Sequence, residues 1–139
     1  MKFLSRSDEA QGASAVTPVS YESVVKIHSK ALPGVVFAIN RISFGRRMEL
    51  SRRVREISQR GEFLEAGSQL QEKIEASILA QEVDALYLRW ALVELEGLTI
   101  DGEPAGVEQL LEKGPEELTR EIVAAIKEQC GLSDAERKN

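Results

Sequence analysis

Three features of the sequence predict an α+β fold that is mostly α. Two β-branched-rich runs near the N-terminus flank Pro33-Gly34, apolar residues recur at helical spacing further on, and the segment LYLRWALVELEGLTIDGEP (86–104) changes character twice. Together they predict an N-terminal β-hairpin followed by a helical bundle of about four helices, one of them long and apolar. A flexible tail at 1–18 precedes a single domain at 19–139, with the hairpin at 21–40 and helices at about 45–60, 68–96, 106–113 and 115–130.

The tail, MKFLSRSDEAQGASAVTP, lacks periodicity and is rich in Ser, Ala and Gly. In the hairpin, Val25 and Ile27 share one face, as do Val35, Phe37 and Ile39, and Pro33-Gly34 makes the turn. A lone hairpin is marginal in water, so this one must pack on the helices or pair with Leu98 to Ile100. Leu50, Val54 and Ile57 then fall at i, i+4 and i+7, which gives Arg46 to about Arg60 an amphipathic helix with a basic outer face. Gly61 ends it.

Ser68 and Gln71 have the spacing of a capping box, from which Leu70, Ile74 and Ile78 lead into the apolar segment ending at Leu95. Such a helix would be roughly 42 Å long, more than a small domain needs for its own core. Gly97 stops it, Leu98 to Ile100 read as a short strand, and Asp101-Gly102 marks a tight turn. Val107 to Lys113 is a short helix ended by Gly114, and Pro115 with Glu116 and Glu117 opens the last one, acids at the positive end of its dipole. Leu118, Ile122, Ile126 and Cys130 share its face, and Gly131 stops it. Ser133 with Glu136 offers a capping box for a final polar turn.

With 139 residues, 42% hydrophobic and 29% charged, the chain is long enough to bury roughly two thirds of its unfolded surface as one globular domain. No apolar run is long enough to span a bilayer, and MKFLSRSDEA places charges where a signal peptide needs its apolar segment, so the expected location is the cytoplasm, without membrane. Cys130 is the single cysteine, which excludes an internal disulfide and a four-cysteine zinc site.

The net charge of −5 is unevenly divided: residues 41–60 carry seven basic against two acidic side chains, and 61–139 carry seven against eighteen. Such a division attracts a partner of opposite sign or lets the two halves attract within one fold. Arg46, Arg47, Arg52, Arg53 and Arg55 could track phosphates. A pI near 5.1 and the lack of interleaved aromatic residues argue against nucleic acid.

No catalytic, cofactor-binding or metal-ligating constellation emerges. His28 is the single histidine and reads as a strand-surface residue without an orienting acid. Cys130 on an apolar face reads as a buried thiol. The glycines at 97, 102, 106 and 114 match no phosphate-binding pattern, and the carboxylates between Glu94 and Glu121 lack calcium-loop spacing. At heptad spacing Glu75, Glu82, Arg89 and Glu96 form a polar stripe that keeps one side of the long helix wet. Leu79, Val83, Leu86, Trp90 and Val93 form a seam that either fills the core or docks another helix.

The order of elements resembles that of tail assembly chaperones of tailed bacteriophages and prophages. SVVKIHSKALPGVVFAINRISFGRRMEL is similar to their N-terminal extended pair, followed by a charged helix, a mostly apolar helix and an acidic helical end. LVELEGLTIDGEPA resembles their helix, extended piece and Asp-Gly turn, and GLSDAERKN their acidic close; the likeness covers about residues 20–139. The basic run from Arg41 to Arg60 departs from their acidic character.

The resemblance implies a non-enzymatic role, without cofactor: binding the long, apolar tape measure protein until the tail tube protein polymerises around it. It places client contact on the seam Leu79, Val83, Leu86, Trp90 and Val93, with Arg46, Arg47, Arg52, Arg53 and Arg55 steering the encounter. Homo-oligomers are compatible with it. The alternatives are a structural subunit of a tail or contractile injection particle, and a small nucleic-acid-binding regulator.

Overall fold

A computed structural model of the chain describes residues 16–62 and 69–131, and within them the fold is α+β, mostly α. Residues 16–23 run exposed and irregular into β1 (Val24–His28), which pairs antiparallel with β2 (Val36–Asn40) in the register Val24 to Asn40 through His28 to Val36. The predicted hairpin is present. Its reversal is tied by the Ser29 N–H, which donates to the Val35 carbonyl at 2.8 Å, and the Val35 N–H, which donates to that of Leu32 at 3.0 Å.

Helix α1 (Phe44–Glu62) and helix α2 (Gln69–Ala91) follow, then β3 (Leu92–Glu96). Here the structure corrects the sequence reading of one helix over 68–96. The helix ends at Ala91 after 23 residues, about 35 Å, and the chain passes directly into a strand that pairs with β2. The three-stranded sheet therefore has the order β1-β2-β3, and the hairpin's third strand is Leu92–Glu96 rather than Leu98 to Ile100.

The physical reason is that β2 would otherwise leave an unpaired edge beside an apolar core, and a third strand buries Leu92 and partly buries Leu95 against it. Helix propensity in this short stretch is too small to resist that gain. Between Ala38 and Ile39 the ladder bulges: Ala38 faces Glu94, Ile39 faces Leu92, and Val93 is the extra residue, left 55% exposed.

β4 (Thr99–Ile100) and β5 (Glu103–Pro104) make a small separate hairpin across Asp101 and Gly102, whose φ of 52° and 84° give the tight turn the Asp-Gly pair predicts. Two helices close the described chain, α3 (Val107–Lys113) and α4 (Glu116–Gln129). Gln109 reaches back to accept from the Gly106 N–H at 3.0 Å, and the Gly114 N–H donates to the Leu110 carbonyl at 3.0 Å, closing α3 at both ends. The proposed capping boxes at Ser68 and Ser133, and residues 1–15 of the tail, lie outside the described residues.

The core sits between one face of the sheet and the helices. Val35, Phe37 and Ile39 of the hairpin meet Tyr87, Leu88 and Ala91 of α2 and Leu118, Ile122 and Ile126 of α4, with Leu110 and Cys130 filling the remaining space. Each of α2, α3 and α4 presents an apolar stripe there, as its spacing requires. α4 is further held by Glu121, whose carboxylate accepts from the Ser29 hydroxyl at 2.6 Å and the Lys30 N–H at 2.7 Å. Ser29 in turn accepts from the Leu32 N–H at 2.9 Å, so one carboxylate fixes the hairpin reversal to the helix. Lys127 joins α4 to α2 through Asp84 at 2.7 Å and lies over the Tyr87 ring.

Candidate protein-binding surface

Among the described side chains of helix α1, Leu50 is the one buried in the core, with Val54 packed at its border. Beyond it, Arg60 bridges α1 to Glu82 of α2, and residues 51–60 of α1 with 69–80 of α2 make an arm in which no residue is fully buried. On that half of α2, Glu72, Glu75 and Leu79 lie half-buried, while Leu70, Ile74 and Ile78 are 70%, 51% and 42% exposed. These three fall at i, i+4 and i+8 and so form one stripe along the side of α2 turned away from its half-buried residues. Their surroundings on that face, Ser77 and Gln81, are uncharged and also exposed.

The predicted seam behaves differently. Val83, Leu86 and Trp90 are partly buried and packed against the core, and Leu79 is half-buried further out. Val93 does not extend the seam, because it stands in β3 with its side chain in solvent. The polar stripe loses Glu96 for the same reason, and its Glu75 and Glu82 lie half-buried, Glu82 against Arg60 of α1, so they do not mark a wet side. Arg89 does stay wet, as its place in the stripe predicts: its Nε and Nη2 donate to the two carboxylate oxygens of Glu108 at 2.6 and 3.0 Å, joining α2 to α3. The bidentate contact raises the Arg89 pKa and lowers that of Glu108.

The five candidate arginines divide by their partners. Arg46 donates to the carbonyls of Arg41 at 3.1 Å and Ser23 at 3.4 Å, tying the start of α1 to the hairpin. Arg47 donates to the Cys130 carbonyl at 3.0 Å, where a cation meets the negative end of α4. Arg53 pairs with Glu49 on its own helix at 2.9 Å. Arg52 and Arg55 are exposed and have no ion-pair partner among the described residues.

His28 is exposed on the outer face of the sheet, and Cys130 is buried, its thiol pushed up by desolvation despite the nearby Arg47 charge. Glu96 raises the pKa of Glu94, its neighbour on β3, because a proton held between the two carboxyl groups relieves their repulsion, against a smaller lowering by Lys26. Among the described residues no three of His, Cys, Asp and Glu converge to hold a metal ion, and no helix is long and apolar enough to cross a membrane.

The Leu70, Ile74 and Ile78 stripe was visible in the sequence as periodicity but not as surface. Compared with known proteins, the chain matches no family model, no curated protein and no solved structure at significant similarity.

Proposed function

We propose that this chain is a non-enzymatic chaperone of the phage tail assembly type, acting in the cytoplasm and holding a long helical client such as a tape measure protein until tube subunits replace it. The observation that carries the reading is the apolar stripe of Leu70, Ile74 and Ile78 on an arm that the core does not cover. An uncovered apolar stripe on a rigid helix is suited to the apolar face of another helix.

Its size sets the strength. A few hundred Å² of apolar surface at about 25 cal/mol per Å² is worth on the order of 6 kcal/mol before the cost of association, well short of a permanent interface. Weak single contacts suit a protein that must be displaced, and many copies along one client supply the avidity. Arg52 and Arg55 on the other helix of the arm steer acidic stretches of the client toward it.

The test is co-expression with a tape measure protein. The client should stay in the supernatant with the wild-type chain and aggregate with Leu70→Asp/Ile74→Asp, while the variant keeps the wild-type helical signal. Equal aggregation with and without the chain would sink the proposal. Mass spectrometry of finished tail particles separates it from a structural subunit, since a chaperone is absent from them.

A further inference from the structure

The charge division of the sequence is only partly neutralised inside the fold. Arg52 and Arg55 are exposed on α1 with no ion-pair partner among the described residues, and the same holds for Glu117 and Glu128 on α4. Each pair belongs to a face. On α1, Phe44, Met48, Arg52 and Arg55 fall at i, i+4, i+8 and i+11, turned away from Leu50, and Phe44 and Met48 are 84% and 52% exposed. On α4, Glu117, Ala124 and Glu128 fall at i, i+7 and i+11, turned away from Ile122 and Ile126, and all three are exposed, while the bordering Arg120 is paired with Glu116 on its own helix.

We propose that this chain associates with a second copy of itself, the Phe44, Met48, Arg52 and Arg55 face of α1 in one copy docking on the Glu117, Ala124 and Glu128 face of α4 in the other. Charge complementarity selects this pairing over the symmetric ones. Two α1 faces together would oppose four guanidinium groups, and two α4 faces would oppose four carboxylates, whereas the unlike faces attract. With Arg52 and Arg55 set against Glu128, Met48 comes opposite Ala124, whose small side chain leaves it room to shed water against α4. The pairing leaves the Leu70, Ile74 and Ile78 stripe free, but it covers Arg52 and Arg55, so these two steer a client only in the unpaired chain.

The contact is modest and largely electrostatic, so it depends on salt. Raising ionic strength from about 0.01 M to about 1 M shortens the Debye length from about 30 to about 3 Å. Sedimentation of the full chain up to about 1 mM at low ionic strength should show mass rising with concentration, and at high ionic strength a monomer. Arg52→Glu/Arg55→Glu and Glu117→Lys/Glu128→Lys should each weaken self-association about tenfold or more. An equimolar mixture of the two variants restores the unlike pairing and should associate again.

Because the four positions are exposed, far-UV circular dichroism of both variants should match the wild type. A chain that stays monomeric at low ionic strength, variants that associate like the wild type, or a mixture that fails to associate would each overturn the proposal. So would a monomer that instead retains a DNA duplex through Arg52 and Arg55.

Discussion

The backbone of Gly97 lies against that of Gly34 so closely that a Cβ on Gly97 would fall 2.3 Å from the Gly34 carbonyl oxygen. The contact joins the end of β3 to the reversal of the hairpin, one residue past the Val36 and Glu96 pair. Gly97 also has a φ of 85°, so an alanine there meets both backbone strain and a backbone atom that has no side chain to swing aside. Gly97→Ala is expected to cost about 3 kcal/mol or more in a urea titration. Gly34 has a φ of 102° but open space around its Cβ position, and Gly34→Ala should cost about 1 kcal/mol. Equal losses would show that the close approach contributes nothing.

The strand after α2 gives a second contrast. Leu92 is 7% exposed and faces Ile39, while its neighbour Val93 is the bulge residue in solvent. Leu92→Lys should cost about 3 kcal/mol or more by burying a charge, and Val93→Lys should stay within about 0.5 kcal/mol. A seam running on from Leu86 and Trp90 into Val93 would reverse that order. Chemical denaturation of the two variants decides it.

These residues also show where the sequence was legible. The hairpin was, because alternation in VVKIH and VFAIN and the Pro33-Gly34 reversal all agree. The Asp101-Gly102 turn and the helix ends at Gly114, Pro115 and Gly131 were, because each depends on neighbours in sequence. The change from helix to strand at Leu92 was not, since LVELE carries apolar residues that suit either period, and the decision lies with β2, more than fifty residues away.

The exposed stripe was illegible for a related reason. α2 carries Leu70, Ile74 and Ile78 on one side and Leu79, Val83, Leu86 and Trp90 on another, so its apolar periodicity names two faces and not the covered one. Which face is covered follows from where α1 and the sheet pack. The division of the arginines was hidden too, because the acceptors of Arg46 and Arg47 are backbone carbonyls, and such groups carry no sequence signal.

Glu121 links stability to pH. Partial burial pushes its pKa up, but the Ser29 hydroxyl, the Lys30 and Ala31 N–H groups and the Lys30 charge outweigh this, so the carboxyl is held below its ordinary value. A lowered folded pKa stabilises the protein above the unfolded value of about 4.3 and loses that contribution as pH falls through the folded one. Glu121→Gln is expected to cost about 1–3 kcal/mol at neutral pH, with the gap to the wild type narrowing below about pH 4. Melting curves across that range measure it. A gap that stays constant to the acid limb would mean that Glu121 holds Ser29 and Lys30 no better charged than neutral.

The two apolar faces of α2 make different demands on the same substitution. Trp90 and Leu86 are packed against the core, so Trp90→Asp or Leu86→Asp sets a carboxylate against apolar neighbours and should cost about 3 kcal/mol or more. Ile74→Asp places the charge on a side chain already 51% exposed and should stay within about 1 kcal/mol. Denaturation and client retention measured on the same three proteins then separate folding from binding. Loss of the client with Ile74→Asp at wild-type stability assigns contact to the stripe. Loss confined to the Trp90 and Leu86 variants, in step with their stability, returns the seam to the core and leaves the stripe without a client.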